Sequence, residues 1–174
     1  MVALIALLVA LPLALATALD GYAWTGARRR ARWRVAMRLA SLVPAVVYGL
    51  FGLGLFVLFL QFGTSIVAGS LTLAIMTLPI IISTTEESLR AVPTEYRTVS
   101  ASLGGTRWQG IRYIVLPQAM PGIITGVLLG LLRAAGETAP ILFTVAAFFL
   151  PRLPHSPLDQ TMALPYHLYV ISTQ

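Results

Sequence analysis

Cysteine and lysine are both absent from this 174-residue chain. Without cysteine there is no disulfide and no thiolate metal site, and the redox character of the compartment leaves no trace in the sequence. There is no GxxxxGK[ST] phosphate loop, so ATP hydrolysis of that type belongs to another chain. Acidic residues number six. Two of them, Asp20 and Asp159, fall at the edges of apolar runs, no histidine lies inside such a run, and HExxH does not occur. An intramembrane protease needs paired aspartates, a zinc helix or a Ser–His pair there, so that class finds no support and the chain is expected not to be an enzyme. His155 and His167 are isolated and lack metal-ligand spacing, and no metal or other cofactor is implied. Charge of any sign is scarce: 10% of residues are charged against 57% hydrophobic, with a mean hydropathy of +0.84. A soluble domain this apolar has too little polar surface to stay dispersed, so the composition indicates an integral membrane protein built as one bundle.

Four uncharged or nearly uncharged runs are long enough to be spans: about 2–19, 42–61, 65–82 and 119–139. The first lacks a basic leader segment and has Pro12 at its centre, so it reads as a span and not as a cleaved signal. All basic residues are arginine, and the net charge is +6. In a soluble protein that balance would point to nucleic acid; here it reports topology. Arg28, Arg29, Arg30, Arg32, Arg34 and Arg38 lie between the first two runs, and Arg90, Arg97, Arg107 and Arg112 between the last two. The positive-inside rule makes both segments cytoplasmic, with the N-terminus and an outer loop at 151–160 on the other side. The run ARRRARWR also admits a reading as a patch for anionic lipid or nucleic acid, with Trp33 as an interfacial anchor, but a topology determinant is the preferred reading and no nucleic-acid partner is expected.

The polar stretch 83–117 carries most of the local signals. Ser83 with Glu86, and Thr84 with Glu87, have capping-box spacing, which predicts a short helix starting there and stopping before Pro93. Pro93 suits the first turn of a second helix, in which Tyr96, Val99 and Leu103 share a face. Gly104-Gly105 ends it, Thr106 caps a third helix with Trp108, Ile111 and Val115 on one face, and Pro117 closes that helix. The result is an amphipathic helix–Gly–helix element with Arg97, Arg107 and Arg112 on its polar sides. It is either a packed linker on the bilayer or a docking knob for a cytoplasmic partner.

Arg133 and Glu137 stand in the apolar stretch LLRAAGETAPILF, four residues apart and so on one helix face. Charges inside a span face the bundle interior or a water-filled path and usually pair. The two form either an ion pair that locks packing or a site on a transport path, where the planar arginine fork suits an oxyanion. Gly126 and Gly130 have GxxxG spacing, which serves close packing within the chain or against a sister subunit, and Gly49, Gly52 and Gly54 raise the same alternatives. Pro140 marks where the helix should break. Residues 141–150 make half a span, followed by an outer loop with Pro151, Pro154 and Pro157, where Arg152 and Asp159 are surface residues.

Gly104, then nine residues, then Ile114-x-Leu116-Pro117 resembles the second half of the EAA motif of bacterial ABC importer permeases with the MetI-like fold. Its first half departs: Thr98-Val99-Ser100 stand where Glu-Ala-Ala is usual, and Glu95 lies one turn earlier. PAVVYGLFGLGLF (44–56), LTLAIMTLPIIISTTEESLRAVP (71–93) and LPQAMPGIITGVLLGLLRAAGETAP (116–140) are similar to segments of phosphate importer permeases of the PstA type. The resemblance implies an all-α, polytopic MetI-like transmembrane bundle with a cytoplasmic helix–turn–helix coupling loop at 83–117, multi-pass in the bacterial plasma (inner) membrane. It implies a substrate path for inorganic phosphate through Arg133, Glu137 and Thr138. It implies coupling to an ATP-binding subunit through Glu95, Thr98, Ser100, Gly104, Arg107, Ile114, Leu116 and Pro117. A sister permease subunit, an extracytoplasmic phosphate-binding protein and membrane lipid complete the expected partners. Permeases for molybdate or phosphonate, and a non-transporting scaffold that binds a cytoplasmic partner, are the alternatives. Family members have six spans and four are legible here, so the chain reads as a single partial transmembrane domain, truncated at both ends.

Overall fold

A computed structural model describes residues 1–23, 26–102, 104–145, 156–161 and 164–173. Leu103, Arg152, His155 and the first half of the expected outer loop lie outside the described residues, as do the side chains of Arg30 and Arg97. The chain is all-helical, with no β-strand element among the described residues. In order it forms α1 (Val2–Ala23), α2 (Ala27–Leu42), α3 (Ala45–Gly52) running on as a π-helix (Leu53–Phe59), and α4 (Ile66–Ala91). Then come α5 (Glu95–Ser102), α6 (Arg107–Gly110) with a second π-helix (Ile111–Val115), α7 (Leu116–Gly136), α8 (Ala139–Thr144) and α9 (Leu164–Thr173).

Among the described residues, three helices are long and apolar enough to cross a membrane: α1, α4, and the continuous run Arg107–Gly136; Ala31–Leu42 with Ala45–Phe59 makes a fourth if the bent pair counts as one span. Over the expected span at 42–61 the helix is interrupted. Leu42 ends α2, Pro44 caps α3, and Ala45–Phe59 alone falls below the length of a full span. The basic stretch, expected as a loop, is the helix α2. Arginine and alanine both have high helix propensity, and nothing in ARRRARWRVAMR breaks it.

Two of the expected breaks are absent. Residues 83–91 do not begin a new helix but end α4. Thr84 does not cap: its hydroxyl donates to the carbonyls of Ile80 at 2.9 Å and Ile81 at 3.2 Å, and Ser88 donates to Thr84 O at 2.7 Å. These hydroxyls are satisfied within a continuous helix, which is the competing use of such residues in an apolar stretch. Pro117 does not close a helix either. The π-helix before it already has a shifted ladder, with the Leu116 N–H bonded to Ile111 O, five residues back. A wide turn of that kind absorbs a proline at the start of the next α-helical stretch.

The chain divides into two compact units. The first comprises residues 1–10, 42–77 and 131–174. Its centre is the N-terminus of α4, where four main-chain donors would otherwise be unsatisfied. Ile66 N–H donates to Asp159 O at 3.0 Å and Val67 N–H to Pro157 O at 3.1 Å. Ala68 N–H donates to Ser65 Oγ at 3.2 Å and Ser65 N–H to Thr144 O at 3.0 Å. Asp159 also folds its own turn, accepting from Ser156 N–H at 2.9 Å, so it is a structural residue and not merely loop surface. Gly49 and Gly52 let α3 lie directly on its neighbours. A Cβ on Gly49 would meet Phe143 Cδ2 at 2.9 Å, and one on Gly52 would meet Thr72 Oγ1 at 2.1 Å.

The second unit comprises residues 11–41 and 78–130. Leu89, Val92, Val115, Ala119 and Ile123 form its core, with Leu15, Leu19 and Tyr22 packed against it. Alongside, α7 docks on α4 through three small residues. A Cβ on Gly122 would meet Ser88 Oγ at 2.4 Å, one on Gly126 would meet Thr84 Oγ1 at 2.1 Å and Cβ at 2.7 Å, and one on Gly130 would meet Ile81 Cγ1 at 2.9 Å. The GxxxG pair therefore packs within the chain. Lipid tails are as apolar as leucine, so close van der Waals approach, not release of water, drives this association. Gly126→Ala should then destabilise the chain by about 1–3 kcal/mol. Gly21→Ala, with nothing within 4 Å of the new methyl group, should be neutral or stabilising by up to ~1 kcal/mol. Thermal unfolding of the two variants in one detergent measures the difference.

Candidate functional site

Arg133 sits in the last turn of α7, which ends at Gly136. Glu137 and Thr138 occupy the break before α8, and Pro140 lies in the first turn of α8. The helix breaks where the proline cannot donate, and Thr138 O accepts from Leu142 N–H at 3.0 Å to start the next turn. The structure thus brings Arg133, Glu137 and Thr138 together at one junction.

The pair itself is a single contact, Arg133 Nε to Glu137 Oε1 at 3.4 Å, with the two side chains 40% and 20% exposed. It is neither bidentate nor deeply enclosed. A half-exposed i,i+4 pair of this type stabilises a helix by only about 0.3–0.5 kcal/mol, too little to lock a bundle. The terminal guanidinium nitrogens of Arg133 make no hydrogen bond among the described residues. The fork that could grip an oxyanion is therefore open on one side and held by a replaceable carboxylate on the other. The Arg133 charge also reaches the Tyr48 hydroxyl on α3. Tyr48 was not singled out from the sequence; its only signal is the adjacent Gly49, the notch that sets α3 on Pro140 and Phe143.

The expected coupling residues lie in the other unit. Glu95 opens α5 and is exposed, and Thr98 is exposed with its hydroxyl donating to Glu95 O at 2.7 Å. Ser100 is buried against the turn that follows, where its carbonyl accepts from Gly105 N–H at 2.9 Å. Gly104 has φ +73°, the left-handed conformation that ends α5 and that a side chain resists. Thr106 caps α6 in a full capping box: Gln109 N–H donates to Thr106 Oγ1 at 3.3 Å and Thr106 N–H to Gln109 Oε1 at 2.8 Å. Arg107 is exposed at the start of α6, Ile114 and Leu116 are half-buried, and Pro117 is exposed in the continuous helix.

One face expected here is not formed. Ile111 and Val115 are 7% and 1% exposed, but Trp108 is 47% exposed. The π-helix at Ile111–Val115 bonds i to i+5, so α-helical spacing does not carry across it and Trp108 points away from that core. On α5, Tyr96 and Val99 are 43% and 52% exposed. The element therefore buries Ser100 and Gly110 and turns three large apolar side chains outward.

The family of binding-protein-dependent transport system inner membrane components matches residues 10–171. The chain belongs to this family. It is an all-α, multi-pass membrane protein. It is 34% identical over 153 residues to the probable ABC transporter permease protein YqgI of Bacillus subtilis, covering 81% of this chain and 52% of that one. It is 42% identical over 117 residues to the phosphate transport system permease protein PstA 2 of Mycobacterium tuberculosis, covering 67% and 39%. To the probable phosphate transport system permease protein PstA of Methanocaldococcus jannaschii it is 33% identical over 172 residues, covering 98% and 60%. The chain thus spans about half the length of these curated relatives.

Within this chain the glycine turn is a local test of the element's architecture. Gly104→Ala should cost about 1–2 kcal/mol from the left-handed backbone and raise amide exchange across 95–110, with Gly104→Asn milder. Unchanged exchange in that stretch would mean that the turn does not hold α5 and α6 together.

Proposed function

We propose that this chain is a permease subunit of an ATP-driven importer of inorganic phosphate. It forms part of the membrane path for the anion and couples to ATP hydrolysis on a separate subunit. The observation that carries the reading is Arg133: a guanidinium in an apolar helix, held by one 3.4 Å contact to Glu137, with its terminal donors open. A cation there is costly unless it faces a polar path, and a planar fork is suited to two phosphate oxygens. The names of the relatives, phosphate transport system permease proteins in a bacterium and an archaeon, support phosphate as the anion.

In this reading the basic helix α2 and the stretch 83–117 face the cytoplasm. Phosphate displaces the Glu137 carboxylate from Arg133 and is released when the carboxylate returns, so the site holds its anion without trapping it. Thr138 and Tyr48 flank the junction as hydroxyl donors. Tyr96, Val99 and Trp108, apolar and exposed, dock into a groove of the ATPase subunit, a helix-in-groove contact. Displacement at that contact travels through the continuous helices Ile66–Ala91 and Arg107–Gly136. A sister permease subunit and an extracytoplasmic phosphate-binding protein complete the transporter.

Reconstitution with the ATPase, the sister permease and the binding protein tests both ends. Arg133→Ala should lower phosphate uptake by about tenfold or more, the loss of a charge-assisted hydrogen-bonded contact, and Arg133→Lys should fall between. Uptake unaffected by Arg133→Ala sinks the pathway role, and uptake of molybdate in preference to phosphate reassigns the substrate. Separately, Tyr96→Asp with Val99→Asp should abolish co-purification of the ATPase while leaving the helix content intact. If the ATPase still co-purifies, the docking assignment is wrong.

A further inference from the structure

A cavity of about 570 Å³ lies between the end of α1 and the start of α2. Thr17 and Asp20 line it from α1, and Arg29, Arg32, Trp33 and Ala36 from α2. The proposed transport path and coupling element make no use of it. Arg29 and Arg32 are one turn apart on the same face of α2, and neither makes an ion pair among the described residues. The Thr17 hydroxyl donates back to Leu13 O at 2.6 Å, so it offers the cavity only its acceptor side.

Depth identifies the ligand class. Residues 2–19 carry no charge, and Leu4, Leu8 and Leu13 of α1 are exposed and face acyl chains in a bilayer. Asp20 is where that charge-free run ends, which sets the cavity at the level of the lipid headgroups. Trp33 beside it is the residue type that settles at that interface. Two arginine forks provide paired donors for a phosphodiester. With two cations and one anion on the wall, the cavity favours a net negative headgroup over a zwitterionic one. We propose that the α1–α2 cavity is a binding site for the headgroup of an anionic glycerophospholipid, of which phosphatidylglycerol has the matching chemistry.

The test uses the full chain in neutral detergent, titrated with short-chain phosphatidylglycerol, short-chain phosphatidylcholine and inorganic phosphate, with bound lipid read by native mass spectrometry. Phosphatidylglycerol should bind saturably and phosphatidylcholine weakly. Arg29→Gln with Arg32→Gln should lower the phosphatidylglycerol affinity by more than about tenfold. Arg34→Gln with Arg38→Gln removes the same charge from α2 at residues outside the cavity, and should cost less than about threefold. Ala36→Phe fills the cavity without changing charge and should weaken binding too, which keeps the test open if the double arginine variant fails to fold. Equal losses in the two arginine pairs, or full binding by Ala36→Phe, would show general attraction to a basic helix and overturn the proposal. Displacement of the lipid by millimolar inorganic phosphate would reassign the cavity to the free anion.

Discussion

A bilayer offers a peptide group no hydrogen-bond partner, and most of this architecture follows from that constraint. It shows at the start of α4. Four N–H groups there have no helical acceptor, and every one is met: by Thr144 O, Asp159 O, Pro157 O and Ser65 Oγ. A proline-containing loop from the far end of the chain is thereby tied to the start of α4. The same constraint explains why hydroxyls along α4 bend back to their own helix, Thr72 to Ala68 O, Thr77 to Leu73 O and Thr84 to Ile80 O. Such residues read as helix starts in a soluble protein. In an apolar helix they are internally satisfied passengers.

Once the backbone is satisfied, contact between helices depends on how near they can come. Gly122, Gly126 and Gly130 let α7 settle onto Ser88, Thr84 and Ile81 of α4. Gly49 and Gly52 do the same for α3 on Pro140, Phe143 and Thr72. Five missing side chains thus do what a hydrophobic core does in water. Charge is rationed by the same logic. Glu86 pairs with Arg90 within one turn of α4, and Arg133 pairs with Glu137 across the end of α7.

The element formed by α5 and α6 has its own economy. Gly105, Gly110 and Ser100 are used for internal packing, and its aromatic residues are left outside. An isolated linker would invert that arrangement, covering Tyr96 and Trp108 and exposing the serine. Tyr96, Val99 and Trp108, turned outward, are the side chains that the proposed docking would bury.

The helical class, the membrane setting, the apolar runs, the Gly104 turn, the Thr106 cap and the break before Pro140 were all legible in the sequence, because each depends on composition or on neighbours within a few residues. The helix–helix role of Gly126, the close approach of Gly49 to Phe143 and the tethering of α4 by Asp159 were not, because they depend on residues tens of positions away. Two local rules also failed for a tertiary reason. The capping-box spacing at Ser83 and Thr84 lost to a continuous helix held against α7. The 3.6-residue period of Trp108, Ile111 and Val115 lost to a π-helix that rotates the face. Sequence spacing determines which residues can share a face of a regular helix. Whether the helix is regular, and what lies opposite, was decided by packing.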